Sequence, residues 1–192
     1  MQDITEFREI MMAVKFYCCL LIGILMLTVS TALAVIHDFH QTDPGDGVAP
    51  TEISIVRVLY DNDYLSIAAD LHDRDPDKIR VTQMIKGRLF FSDDHFWVTF
   101  DSFNSKRNDC LYQDNANGVR RAALRENTAR FVEEWAALWH AQSALNDSGW
   151  ATEIAIPFKS ISFDPNGETW GVNFGHGIVR KEESIPKPSS PL

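Results

Sequence analysis

The carboxylates of this chain come closest to a catalytic pattern. Asp93 and Asp94 are adjacent, and Asp101 follows at the far end of a short apolar stretch. Hydrolysis of a glycosidic bond needs two carboxyl groups that face each other across a cleft at a defined separation. On an extended strand Asp94 and Asp101 would lie about 20 Å apart, at ~3.3 Å per residue. We therefore expect turn and strand-end roles for these residues, and the sequence predicts no enzyme.

Two acidic loops could bind a metal ion. Calcium prefers clustered oxygen ligands, and the Asp-rich segments 61–63 and 73–77 supply them. The candidate ligands are Asp61, Asp63, Asp73 and Asp75. Asp also favours turns, because its side chain accepts hydrogen bonds from the backbone two residues further on. We expect turn formation without a cofactor, with calcium binding as the alternative.

Composition limits the class of protein. The chain has 192 residues, which is enough for one domain with a substantial core. Its formal net charge is −9, and its isoelectric point is near 5.0. A surface that binds nucleic acid needs basic residues to displace counterions. We therefore expect no nucleic-acid partner.

The N-terminal segment carries the parts of a secretory signal peptide. Lys15 is followed by the uncharged, largely apolar run Phe16–Val29, and then by the small residues Ala32 and Ala34. A basic residue, an apolar stretch and a small-x-small ending are typical of such a leader. The pattern predicts cleavage before Val35.

A membrane anchor is the alternative to a cleaved leader. Residues 16–36 contain no charged side chain, and about 20 such residues can span a bilayer as a helix. Residues 1–34 are thus predicted to contain an apolar helix, either a signal peptide or an anchor that associates with a membrane through 16–36. Both predict an exported protein, in the periplasm, the outer membrane or the extracellular space. Cleavage would leave Cys110 as the single cysteine, which predicts a small strand residue, with a reactive thiol as the alternative.

Alternation of large and small side chains predicts antiparallel strands through most of the chain. Residues 150–156 alternate in this way, and Pro157 ends the pairing because it has no N–H to donate. Phe96, Val98 and Phe100 form a second stripe, and residues 79–91 fit either a short helix or an irregular segment. Further strands are predicted at Glu52–Tyr60, Tyr64–Leu71, Cys110–Gln113, Val119–Ala122 and from Trp170 onward. Many short strands with turns between them predict an all-β fold, an antiparallel, jelly-roll-like β-sandwich.

Several groups of residues occur in an order that matches a known family. They are Thr51-Glu52 with Val56–Asp61, Asp75–Ile79, Ser92–Phe96 with Phe100-Asp101, Asn115–Val119, and Gly149–Phe158 with Thr169–Gly175. Together they resemble a family 9 carbohydrate-binding module, and more closely the family-9-like domain at the front of long bacterial outer-membrane proteins of unknown function. The resemblance implies a sandwich over 35–181, with Trp150 and Trp170 in its core. It also implies that Trp139–Leu145 is a strand paired with the strand at 150–156. We expect a disordered tail over 182–192, which is rich in proline and serine.

The resemblance also implies a sugar-binding site. Carried over position by position, the family's first aromatic falls at Phe91, a polar strand position falls at Trp97, and an amide-or-basic position falls near Gln113, with Asn115 close by. Trp97 stands where sugar-binding relatives have an acid, and a sheet-packing role is the alternative for it. No aromatic residue follows Phe174 to cover the second face of a sugar ring.

The function that the resemblance implies is a non-catalytic module of an exported bacterial protein. Such a module would bind a poly- or oligosaccharide by aromatic stacking and hydrogen bonds, as an accessory to glycoside hydrolysis. The alternative is a structural or interaction domain of an outer-membrane-associated protein without sugar affinity, including a truncated gene product.

Overall fold

Strands make up nearly all the regular structure in the part of the chain that the computed structural model describes, residues 33–127, 129–133, 135, 137–187 and 190–191. Within these ranges the strands are β1 (Leu33–Ile36), β2 (Ser54–Tyr60), β3 (Tyr64–His72), β4 (His95–Asp101), β5 (Asp109–Asn115), β6 (Arg120–Glu126), β7 (Arg130–Val132), β8 (His140–Asn146), β9 (Gly149–Pro157), β10 (Gly171–Ile178), β11 (Glu183–Pro186) and β12 (Ser190–Pro191). Residues 79–94, which follow a 3₁₀ turn at Pro76–Lys78, form an irregular segment. We call this segment the β3–β4 loop.

The strands form two antiparallel sheets. The first sheet has the order β1-β2-β3-β9-β8, and the second has the order β11-β10-β4-β5-β6-β7, with β12 also paired to β10. Neighbouring strands run antiparallel throughout both sheets. β8 pairs with β9, as the family resemblance implies. The predicted all-β, antiparallel β-sandwich is confirmed.

The core lies between the two sheets and is filled by alternate residues of their strands. Phe96 and Phe100 of β4 and Trp150 of β9 are buried, as the alternation predicts. Trp170 packs against the same core, with its ring centroid 6.4 Å from that of Phe100. Burying an apolar side chain of this size contributes about 1.5–3 kcal/mol. Cys110 also packs against the core, and burial raises the pKa of its thiol to about 11, which suits a strand residue.

The turn before β9 depends on a glycine. Gly149 has a φ of +141°, and a Cβ placed on it would lie 2.1 Å from the carbonyl oxygen of Leu71 on the neighbouring β3. The contact is with backbone, which cannot move aside without breaking the ladder between β3 and β9. Glycine is therefore required for β9 to pair closely with β3.

The C-terminal segment differs from the sequence prediction. Glu183–Pro186 forms β11 and pairs with β10, although the sequence predicts a disordered tail over 182–192. Ile185 is fully buried in the core, and the Glu183 carboxylate accepts hydrogen bonds from the backbone N and the Oγ1 of Thr51 at 2.8 and 2.5 Å. These contacts join residues far apart in the sequence, so the local composition of the tail does not reveal them.

The predicted leader lies almost wholly outside the described residues, and the signal peptide and the anchor over 16–36 both stay predictions. The predicted cleavage point, between Ala34 and Val35, falls inside β1, which pairs with β2. Among the residues that the structure describes, no helix has the length and apolar character needed to cross a bilayer.

A polar network joins the two sheets inside the core. Asp114 of β5 is fully buried, and its Oδ2 accepts hydrogen bonds from Thr152 Oγ1 at 2.5 Å and from Ser143 Oγ at 2.7 Å, both on the first sheet. Burial raises the pKa of Asp114 to about 7. Charging this carboxylate in the core is unfavourable, so its titration is coupled to folding.

We expect the variant Asp114→Asn to remove a pH dependence of stability. The folded-state pKa of Asp114, about 7, lies above its ordinary value of 3.8. Its stabilising contribution is therefore fully present below about pH 4 and is lost as the pH rises through about 7. Relative to the variant, the wild type should lose up to about 4 kcal/mol of unfolding free energy over this range, at about 1.4 kcal/mol per pKa unit.

Urea denaturation at several pH values measures this difference. His176 is buried, and burial lowers its pKa to about 3, so its contribution is lost as the pH falls below about 6.5. His176 is present in both proteins, and its effect cancels in the comparison. A stability difference that stays constant across the pH range would contradict the role assigned to Asp114.

Candidate functional site

Trp97 lies on the outer face of the second sheet, the face turned away from the core. Phe96 and Val98 on either side of it are fully buried, so the pleat of β4 directs Trp97 outward. Its register partners are Gly175 on β10 and Gln113 on β5. A Cβ on Gly175 would lie 2.2 Å from the indole Cε2 and Cζ2 atoms. The indole therefore rests against the backbone of β10, in the space that a side chain would fill.

His95, two residues before Trp97 on β4, lies against β10 in the same way. Its register partner is Gly177, and a Cβ there would lie 2.5 Å from the imidazole Cε1. The His95 Nδ1 lies 2.9 Å from the carbonyl oxygen of Asp93 and donates to it. Burial lowers the pKa of His95, which favours the neutral ring. Gly175 and Gly177 are thus the two positions on β10 that receive aromatic rings from β4.

Polar side chains lie beside Trp97 on the same face of the second sheet. We call Gln113, Arg121 and Glu133 the polar row around Trp97. The buried Gln113 accepts a hydrogen bond on Oε1 from Arg121 Nη1 at 2.9 Å. Arg121 also donates Nε and Nη2 to the two carboxylate oxygens of Glu133, at 3.0 and 2.5 Å. Its guanidinium carbon lies 5.8 Å from the ring centroid of Phe131. The side chain of Glu133 is 42% exposed, so a buried arginine holds both an amide and a solvent-facing carboxylate in place.

Asn115 braces the β3–β4 loop. Its Nδ2 donates to the carbonyl oxygen of Gln83 at 3.0 Å and to Asp93 Oδ2 at 2.8 Å. Its Oδ1 accepts from the backbone N of Asn117 at 3.2 Å and of Val119 at 3.0 Å. Asn115 is fully buried, and both of its polar atoms are engaged inside the chain. Its effect on a ligand would therefore act through the position of the loop.

Phe91 lies on the β3–β4 loop and is one of the most exposed side chains described. The preceding Phe90 is buried, and its ring centroid lies 6.2 Å from that of His95. Of the four residues predicted for a sugar site, the structure makes Trp97 and Gln113 direct neighbours. Phe91 lies on the surface of the β3–β4 loop, whereas the buried Asn115 is hydrogen-bonded to Gln83 and Asp93 of that loop.

The carboxylates considered for hydrolysis hold loops in place. Asp93 accepts hydrogen bonds from the backbone N and the Oγ1 of Thr82 at 2.9 and 2.6 Å. Asp94 accepts from the backbone N of Val179 at 2.7 Å. Asp101 accepts from the backbone N of Lys106 at 2.5 Å, in the turn after β4. Asp94 and Asp101 flank β4, which is the strand-end placement expected from the sequence, and Asp101 also closes the turn that follows.

Asp61 and Asp63 occupy the turn between β2 and β3. The Oδ1 of Asp61 accepts hydrogen bonds from the backbone N of Asp63 at 2.8 Å and of Tyr64 at 2.7 Å. This is the turn chemistry that Asp favours.

Asp73 and Asp75 lie beside basic side chains. Asp73 pairs with Arg180 through both of its oxygens, and Asp75 lies 3.2 Å from Lys78 Nζ. Within the described residues, no three acidic, histidine or cysteine side chains are grouped closely enough to hold a metal ion. The calcium hypothesis stays a prediction.

A separate open cleft of about 280 Å³ lies near the opposite end of β4 and β5, and Phe103 and Trp135 are among its lining residues. Some of its polar side chains form hydrogen bonds within the cleft. Arg125 Nε donates to Asp109 Oδ2 at 2.9 Å, and Ser102 Oγ donates to the carbonyl oxygen of Ser162 at 2.5 Å. The Oδ1 of Asp109 is buried and has no hydrogen-bond partner among the described residues.

The two antiparallel sheets define the chain as a β-sandwich module. A model of the carbohydrate family 9 binding domain-like family matches residues 47–176, about two thirds of the chain. The chain belongs to this family, and the resemblance inferred from the sequence is confirmed. Among curated protein sequences, none matches the chain.

Solved structures share the fold. A family 9 carbohydrate-binding module from Caldicellulosiruptor kristjanssonii, in complex with cellotriose, is 13% identical, with a TM-score of 0.55 over 79% of this chain and 72% of that one. A module of the same family and organism in complex with glucose is 14% identical, with a TM-score of 0.52 over 87% and 80%. A putative carbohydrate-binding protein from Bacteroides uniformis is 12% identical, with a TM-score of 0.60 over 83% and 77%.

Proposed function

We propose that this chain is a non-catalytic module that binds an oligosaccharide on the outer face of its second sheet. The proposal rests on one observation. The Trp97 indole packs against Gly175 of β10, next to the row formed by Gln113, Arg121 and Glu133. Family membership supports the same class of ligand. Export to the cell envelope is part of the proposal and rests on the leader pattern in the sequence.

In the proposed mode of binding, one sugar ring stacks on the exposed part of the Trp97 indole. The backbone of β10 supports the other side of the indole, so the platform is fixed before the ligand arrives. An aromatic face attracts the apolar C–H face of a pyranose, and aromatic packing contributes about 0.5–1.5 kcal/mol beyond the burial of area.

Hydroxyl groups at the edge of the sugar would meet the polar row. The Nε2 of Gln113 has no hydrogen-bond partner within the described residues, and the Glu133 carboxylate is partly exposed. A hydrogen bond to a charged group contributes about 1.5–3 kcal/mol. Arg121 would act as a positioning residue, because its guanidinium is buried and already bonded to both partners. Glucose-based oligosaccharides are the first ligands to test, since the solved relatives bind cellotriose and glucose.

The variant Trp97→Ala should bind the preferred oligosaccharide about tenfold more weakly, which corresponds to about 1.4 kcal/mol. Titration calorimetry of the wild type and the variant with a panel of oligosaccharides measures this loss, and thermal unfolding shows that both are folded. Trp97→Phe keeps an aromatic face and should recover part of the affinity. Phe103→Ala removes an exposed aromatic from the far end of the sheet and should bind as the wild type does.

The alternative function is a structural or interaction domain without sugar affinity. A folded wild-type protein that gives no saturable response to any sugar at millimolar concentration would favour it. Equal affinities for the wild type and Trp97→Ala would instead place a sugar site elsewhere on the chain.

A further inference from the structure

The β3–β4 loop exposes an unusual number of apolar side chains. Met84, Ile85, Leu89 and Phe91 are 69%, 62%, 43% and 81% exposed. We call these four the apolar tip of the loop. Single exposed apolar residues are common on soluble proteins, but four within eight positions of one loop form a patch of the kind that marks an interaction site.

The same loop is basic, although the chain as a whole is acidic. Residues 80–92 contain three basic side chains, Arg80, Lys86 and Arg88, and no acidic one, in a chain whose net charge is −9. All three are exposed, and none of them forms an ion pair with another described residue. Asp93 and Asp94, which end the loop, are buried and bonded to backbone N–H groups. The loop therefore presents an uncompensated positive charge beside its apolar tip.

Hydrogen bonds and one buried side chain hold the β3–β4 loop in the conformation that exposes its apolar tip. Asp93 receives hydrogen bonds from Thr82, Gln83 and Asn115, which ties the start of the loop to its end. The backbone N of Gly87 donates to the carbonyl oxygen of Arg120 on β6 at 2.9 Å. The buried Phe90 fixes the segment beside Phe91. A loop held at these points keeps its apolar tip in water at a cost in free energy, which a binding partner would relieve.

We propose that the β3–β4 loop docks on the surface of an anionic lipid bilayer. Apolar side chains of this kind enter the boundary between headgroups and acyl chains, and adjacent Lys and Arg side chains pair with anionic headgroups. The basic side chains of the loop are complementary to anionic headgroups. A second copy of the chain is also acidic, but only a bilayer offers an apolar interior for the tip to enter. The contact is distinct from the predicted N-terminal anchor and from the row around Trp97.

Amide hydrogen exchange of the full chain tests the proposal, because it reads the loop itself, whatever the N-terminal segment does. On vesicles that contain 40% anionic phosphatidylglycerol in phosphatidylcholine, exchange of the amides in 83–91 should slow at least fivefold. On pure phosphatidylcholine the slowing should be much smaller. The double variant Lys86→Gln with Arg88→Gln should reduce the constant for binding to anionic vesicles about fivefold per charge removed. At sub-saturating lipid, the protection of the amides in 83–91 should fall accordingly.

Two further variants make the outcome decisive. Met84→Ser, Ile85→Ser and Leu89→Ser together should abolish the protection. The matched control Val48→Ser, Ile53→Ser and Leu145→Ser removes three exposed apolar side chains elsewhere and should leave the protection intact. Unprotected loop amides in chains that are bound to anionic vesicles would overturn the proposal. Protection that develops without lipid as the protein concentration rises would overturn it in favour of self-association.

Discussion

Replacing Arg180 by alanine should lower the free energy of unfolding by about 3–5 kcal/mol, the usual cost of leaving a buried charge without its partner. Arg180 donates Nη1 and Nη2 to the two oxygens of Asp73 at 2.7 and 2.5 Å, and the side chains are 15% and 3% exposed. Asp73 follows β3 of the first sheet and Arg180 follows β10 of the second. The pair therefore ties the two sheets together at one end of the sandwich.

Urea denaturation of the wild type and Arg180→Ala measures the effect. The control is Arg74→Ala, which removes a side chain that is 79% exposed and lies 3.7 Å from Glu52, and it should cost less than about 1 kcal/mol. The double variant Asp73→Asn with Arg180→Met removes both charges and should recover part of the loss. If Arg180→Ala were as stable as Arg74→Ala, the buried pair would not have the structural role assigned to it.

Gly175→Ala is expected to have the second large effect, on stability and on sugar binding together. Its Cβ would lie 2.2 Å from two atoms of the Trp97 indole, and β4 and β11 hold the backbone of β10 on both sides. The ring must move. Overpacking of this kind costs about 1–3 kcal/mol, and a displaced indole should weaken sugar binding by about tenfold or more.

Unfolding and calorimetric titration of the same preparations measure both effects. Gly171→Ala is a matched control on the same strand, because its Cβ would make an ordinary contact at 3.4 Å with the Asp101 side chain. It should change stability by less than about 0.5 kcal/mol and leave sugar affinity unchanged. If Gly175→Ala had the stability and sugar affinity of the wild type, the contact between the Trp97 indole and the backbone of β10 would not have the role assigned to it.

The strands could be predicted because their signal is local. Phe96, Val98 and Phe100 alternate with their neighbours, and the stretch that begins at Trp150 does the same, so hydrophobic period alone places them in the core. The tail shows the limit of this reasoning. Ile185 is fully buried in a core cluster, most of whose members lie far away in sequence, and the local abundance of proline and serine gives the opposite indication.

The site was only partly predictable, because it depends on register across strands. Trp97 and Gln113 follow from the family resemblance, but Arg121 and Glu133 carry no local motif. Counting outward from the turn at 115–118 places Gln113 opposite Arg121, which is the signal that could have found it. The role of Gly175 is visible only once β4 is known to pair with β10.

The most direct test of the proposed sugar site is the nuclear magnetic resonance signal of each tryptophan indole N–H during a titration with oligosaccharide. The chain has five tryptophans, and each gives one such signal, assigned by single substitution. We expect the Trp97 signal to shift saturably, with the dissociation constant found by calorimetry, while the signal of the buried Trp150 stays in place. A saturable shift confined to Trp135, or binding heat without any shift at Trp97, would contradict the proposed site.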